Sequence, residues 1–108
     1  RAPAGRARRR LLGRLRHAVA AGPPRQAAAD VETAWRDFLG ERWGIPPGVP
    51  STQWGEQLRR RGVTAPAAEE LVRLMDDVHY LRYAPQLAAT ECIQGELWER
   101  CRRLARLI

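Results

Sequence analysis

Apolar residues recur along the chain at three- and four-residue spacing, the period of one buried helical stripe. Leu71, Leu74, Met75, Val78 and Leu81 follow it and predict a central helix over 65–83. Tyr83-Ala84-Pro85 closes that helix, because a residue before proline is pushed out of helical geometry. Asp76 and Asp77 fall on its opposite, wet face. Ile93, Leu97, Cys101, Leu104 and Ile108 make a second stripe, predicting a helix over 90–108 with Trp98 beside the stripe. Ala27, Val31, Ala34, Trp35, Phe38, Leu39 and Trp43 predict a third helix, over 24–43. Leu11, Leu12, Leu15 and Val19 predict a short helix over 8–21, with residues 1–7 frayed. Trp54 and Leu58 predict a short helix over 53–61.

Glycine and proline mark the ends. Gly22-Pro23-Pro24 stops the first helix, and Gly44 caps the second. Gly44–Pro50, GIPPGVP, cannot continue a helix and forms a rigid loop, with Ile45 and Val49 turned to the core. Ser51 or Thr52 is the expected cap of the short helix, and Gly62 stops it. Val63 inserts into the core, and Thr64 caps the central helix. Pro66 sits in the first turn, where a missing N–H costs little, and Glu69 and Glu70 lie near the positive end of the helix dipole. After a loop over 86–89, Thr90 caps the last helix. Strand signals are few. The prediction is an all-α fold, a small bundle of about five helices. Its expected core is Val31, Trp35, Phe38, Leu39, Leu58, Leu71, Leu74, Met75, Val78, Ile93, Leu97, Cys101 and Leu104.

Charge changes this picture at one end. The chain of 108 residues carries a formal charge of +7. Residues 1–25 hold eight arginines and no acid, whereas 26–108 hold eleven arginines against twelve acids. The organisation expected is a basic arm with a short helix over 1–25 and a nearly neutral helical domain over 26–108. Arg6, Arg8, Arg9, Arg10, Arg14 and Arg16 of the arm suit an anionic membrane surface, a nucleic-acid backbone or the cytoplasmic flank of a membrane span. No apolar run reaches the ~18 residues of a membrane helix, and no signal-peptide pattern is present. The start at Arg1 instead of methionine suggests an excised fragment, although removal of a tag would give the same start.

Candidate chemistry is sparse. Cys92 and Cys101 sit nine apart on one helix, on opposite faces and more than ~10 Å apart, too far to bridge. They read as reduced thiols. His17 and His79 lack the companions of a metal site, and no glycine-rich phosphate loop exists. No orienting third group supports a Cys–His nucleophile pair. No catalytic, cofactor or metal residue is expected, and no enzyme. Trp35, Trp43, Trp54 and Trp98 read first as core packing, with Trp54 or Trp98 as the alternative exposed anchor for a partner. Residues 53–83 have a helix-turn-helix flavour, and Arg59, Arg60 and Arg61 suit phosphate. Glu69, Glu70, Asp76 and Asp77 on the following helix would be repelled by DNA.

The order FLGERWGIPPG, a short helix ending in RRRGV, then LMDDVHYLRYAP and a final amphipathic helix resembles the C-terminal cytoplasmic domain of BatD-type bacterial "oxygen tolerance" membrane proteins. The strongest match is Tyr80-Leu81-Arg82-Tyr83-Ala84-Pro85, supported by Gly44-Ile45 and Gly62-Val63, and the resemblance covers about residues 30–108. Val78 departs from the family pattern, where a cysteine-type residue is common, which weakens any redox role there. A related tail domain of transglutaminase-like membrane proteins also carries an Arg-Tyr after its penultimate helix.

The resemblance implies a tail attached to extracytoplasmic β-sandwich domains through one membrane helix. It implies von Willebrand A-domain proteins and a MoxR-type AAA+ ATPase as partners, and a place on the cytoplasmic side of the bacterial inner membrane. The function expected is a non-enzymatic adaptor that binds proteins through Trp54, Arg59, Arg60, Arg61, Tyr80, Arg82 and Tyr83. Arg82 either fixes its helix end on a neighbouring acid or presents Tyr80 and Tyr83 to a partner. The rival expectation is a helix-turn-helix-like nucleic-acid-binding domain that uses the arginine-rich arm.

Overall fold

The structure, a computed structural model, describes the backbone of residues 4–20, 24–83 and 91–108 and the side chains of 5–20, 25–83 and 95–108. Among the described residues five α-helices follow one another: α1 (Ala4–Ala20), α2 (Pro24–Trp43), α3 (Trp54–Arg60), α4 (Ala65–Tyr83) and α5 (Glu91–Leu107). There is no strand among the described residues. The fold is a small all-α bundle, as the periodicity predicts. α2 and α4 occupy the ranges predicted for them, 24–43 and 65–83.

The core is one cluster. Trp35 lies at its centre, edge-on to Phe38 with ring centroids 5.7 Å apart. Val31, Leu39, Leu58, Leu71, Leu74, Met75, Val78, Leu97, Cys101 and Leu104 are all buried around it. Ile93 lies outside the described side chains, as do Cys92, the Thr90 cap and the 86–89 loop. Trp98 and Trp43 pack against the core while partly exposed, and Trp43 Nε1 donates to the Ile108 carbonyl at 3.3 Å.

The arm expected over 1–25 is different in form. Helix α1 starts at Ala4, inside the stretch expected to fray, because Ala7 is itself a buried position. Ala7, Leu11, Leu15, Ala18 and Val19 enter the same core as the rest of the chain. Arg8 Nε donates to the Ala105 carbonyl at 2.8 Å, setting the last turn of α5 beside the first turns of α1. The described part of residues 1–25 therefore shares its core with 26–108.

Two glycines end helices in the left-handed region that favours glycine. Gly44 has φ 73° and donates to the Gly40 carbonyl at 3.1 Å, closing α2. Gly62 has φ 99°, and Gly62 and Val63 donate back to Arg59 and Leu58, a Schellman closure of α3. Between Gly44 and Ser51, Ile45 is buried and Val49 packs against the core.

The start of α3 differs from expectation. Residues Ser51–Gln53 form a single 3-10 turn, and no side chain caps either that turn or α3. Ser51 is buried, and its hydroxyl turns towards α4 instead of towards the backbone of its own helix. At α4, the Thr64 carbonyl accepts from Ala68 N at 3.0 Å, placing Thr64 at the head of the helix.

Candidate functional site

The expected partner-binding residues divide by what they touch. Trp54 is 1% exposed and belongs to the core. Its indole N–H donates to the Val49 carbonyl at 3.3 Å, and the Arg36 guanidinium covers its ring at 5.2 Å. A ring enclosed in this way cannot anchor a partner, so the exposed-anchor expectation for Trp54 is corrected. The reason is that short α3 is buried through Trp54, Gly55 and Leu58.

The Arg59–Arg61 run is not a uniform basic edge. Arg61 donates to the Trp43 carbonyl at 2.9 Å and to Gln57, fastening the end of α3 to the end of α2. Arg60 pairs with Glu56 one turn earlier, at 2.6 Å. Arg59 is exposed. The six arginines of the arm divide similarly. Arg8 is bonded to Ala105, Arg10 pairs with Glu41, and Arg14 pairs with Asp37 at 2.6 Å. Arg6, Arg9 and Arg16 are exposed and have no ion-pair partner among the described residues.

Tyr80 and Tyr83 remain open, at 56% and 74% exposed, on the last turn of α4. Between them Arg82 lies over the Tyr83 ring at 5.5 Å and stands 3.7 Å from Glu32 on α2. The pairing with an acid on a neighbouring helix is thus present, and so is the aromatic presentation. Of the RYAP string, Ala84 and Pro85 lie outside the described residues.

Glu32 is the hub beneath this patch. Its carboxylate takes Arg36 at 2.9 Å on one oxygen and His79 Nε2 at 2.9 Å on the other. His79 Nε2 is also 3.4 Å from the Ser51 hydroxyl. Arg36 reaches on to the Pro47 and Val49 carbonyls at 2.7 and 3.0 Å. The cluster therefore ties α2, α4, the 3-10 turn and the proline-rich loop together. A serine–histidine–acid relay needs the acid on one ring nitrogen and the hydroxyl on the other. Here a single nitrogen faces both, so the arrangement positions side chains and does not form a relay.

Cys101 is buried, and burial pushes its thiol up to about 11. The Trp35 indole N–H is its polar neighbour and is otherwise without a hydrogen-bond partner. A thiol so displaced is not the thiolate that nucleophilic chemistry requires. Arg100 bridges to Asp77 and, at 3.3 Å, to Glu70, crossing from α5 to α4. Desolvation works against its charge, but these two carboxylates outweigh that and raise its pKa above the ordinary value. His17 lines a groove of about 300 Å³ with Gly13, Arg14, Ala18, Asp30 and Thr33. Among the described residues no group of three or more His, Cys, Asp and Glu is placed to hold a metal ion, and no helix is long and apolar enough to cross a membrane.

Glu32, Arg36 and Ser51 are the site residues that the sequence reading passed over. The Glu32–Arg36 spacing of four was a legible signal of a helical ion pair. No protein-family model, curated protein or solved structure matches the chain.

Proposed function

We propose that this domain is a non-enzymatic protein-interaction module, the cytoplasmic tail of a membrane-anchored protein resembling BatD. In this reading it sits on the cytoplasmic side of the bacterial inner membrane and works with von Willebrand A-domain proteins and a MoxR-type AAA+ ATPase. Those partners and that location rest on the sequence resemblance centred on Tyr80–Pro85.

The observation that carries the interaction reading is the open pair Tyr80 and Tyr83 with Arg82 between them. Tyrosine and arginine are enriched where binding energy concentrates, since they offer broad contact at modest entropic cost. Most large apolar side chains of the described residues are buried, so two open aromatics on one turn are unusual here. The Glu32 hub holds that turn against α2, so a partner would meet a preformed surface. Arg60 and Arg61 are engaged within the fold, and Glu69, Asp76 and Asp77 are exposed or edge positions of α4, which weighs against the nucleic-acid rival.

The test is a capture experiment with residues 1–108 as bait in the native host's lysate, read by mass spectrometry. Recovery of an AAA+ ATPase or a von Willebrand A-domain protein, lost from the Tyr80→Ser/Tyr83→Ser variant, is the expected result. Recovery of nucleic acid with transcription proteins, and nothing membrane-associated, would overturn the reading.

A further inference from the structure

Helix α1 contains six arginines and no acid, and the fold sorts them into two sets. Arg8, Arg10 and Arg14 turn sideways and are consumed by α5 and α2. At about 100° per residue, Arg6, Arg9 and Arg16 fall on the face opposite the buried Ala7–Leu11–Leu15–Ala18 stripe. Gly5, Gly13 and Ala20 share that outward face, so nothing bulky screens the guanidinium groups. Arg6 and Arg16 are separated by about 15 Å along the helix axis.

The neighbouring helix extends the positive field. Arg8 brings the end of α5 alongside, and Arg103 and Arg106 are exposed there. The Glu99 carboxyl on α5 is held below its ordinary value by its hydrogen bond from Arg102, with Arg103 and Arg106 adding to the effect. The outward cations of α1 have no such carboxylate among them.

We propose that this outward face of α1 docks on the phosphate headgroups of an anionic lipid bilayer, with Arg6, Arg9 and Arg16 as the contacts. The inference deepens the reading above and rests on it for the presence of a membrane. Charge complementarity names an anion. The form of the face names a lipid plane: its cations sit within about 80° of one another around a convex helix, so all three can meet a flat array of phosphates. No amide or hydroxyl side chain of α1 accompanies them, and its one aromatic ring, His17, lines the groove shared with Asp30 and Thr33 of α2, so the face reads phosphates with arginine and offers little to read or stack on bases. It also presents no large apolar side chain to insert, so docking is electrostatic and sensitive to salt.

The test is flotation of residues 1–108 with vesicles of phosphatidylglycerol or of phosphatidylcholine. Binding to phosphatidylglycerol alone is expected, falling away near ~1 M salt, where screening acts within ~3 Å. Each arginine at an anionic surface contributes about fivefold, so Arg6→Gln/Arg9→Gln/Arg16→Gln should lose on the order of a hundredfold in partitioning with an unchanged melting curve. Arg10→Gln/Arg14→Gln should lower the melting temperature and keep most of the binding. Equal binding to both vesicles, unchanged partitioning of the triple variant, or tighter binding to random-sequence duplex DNA at the same salt would each overturn the proposal. Loss of vesicle binding while Tyr80- and Tyr83-dependent capture persists would sink this surface alone and leave the adaptor reading standing.

Discussion

His79 Nε2 stands 2.9 Å from Glu32 Oε1 across 47 residues of sequence, joining α4 to α2 beneath the exposed tyrosines. Glu32 also holds Arg36 and lies near Arg82, so its removal strands three cationic or polar partners at once. Glu32→Ala should lower unfolding free energy by about 1–3 kcal/mol in urea titration, the usual cost of leaving partly buried polar groups unpaired. A double-mutant cycle with His79→Ala should return a coupling of at least ~0.5 kcal/mol. Additive losses would mean that the contact carries no energy.

Trp54 and Tyr83 should behave oppositely. Trp54→Ala empties a core position and should cost about 3–5 kcal/mol. Tyr83→Ala removes an open ring and should change stability by no more than ~0.5 kcal/mol while weakening partner capture. Thermal denaturation of the two variants side by side decides it.

Gly55 marks the closest approach of α3 to α4. A Cβ built there meets Val72 Cγ2 at 2.8 Å and the Ala68 carbonyl at 3.6 Å. Valine on a helix has one strongly preferred rotamer and cannot swing aside. Gly55→Ala should therefore destabilise by about 1–3 kcal/mol, despite alanine's better helix propensity. Val72→Ala in the same chain should restore much of the loss. A Gly55→Ala variant as stable as the parent would disprove the close packing.

Cys101 should resist thiol reagents in the folded protein, and its alkylation, followed by peptide mass spectrometry, should track global unfolding. Its thiol is raised from 9.0 to about 11 by burial. The folded state therefore keeps its proton where the unfolded chain has lost it. The resulting stabilisation is fully present below pH 9 and disappears as pH rises through about 11. Cys101→Ala should flatten that alkaline decline.

Helix α1 should be indispensable to folding. Leu11 and Leu15 are buried, and Leu11→Ala should cost about 2–5 kcal/mol. Deletion of residues 1–23 should abolish cooperative unfolding by circular dichroism. A sharp transition in the shortened chain would show that 24–108 is self-sufficient.

Much of this architecture was legible because each helix advertises itself locally. The stripes over 24–43 and 65–83 predict α2 and α4 at their observed limits, and the predicted core residues that can be seen are all buried. The site was harder to read because its contacts are not local. Ser51 looks like a cap by its position before a short helix, yet 28 residues separate it from the His79 ring it faces. Sequence alone allows Trp54 as anchor or core, and its burial beneath the Arg36 guanidinium decides for core. The arginine arm looked uniform in composition, and only the helix orientation separates Arg10 and Arg14 from Arg9 and Arg16.

The GIPPGVP loop has a consequence of its own. Such a segment would ordinarily be the first place a protease cuts or an amide exchanges. Here the carbonyls of Pro47 and Val49 are held by Arg36, that of Val49 also by Trp54, and that of Trp43, just ahead of the loop, by Arg61. Its opening is therefore geared to the separation of α2 from α3, so the most broken stretch of sequence should rank kinetically with the slow-exchanging core.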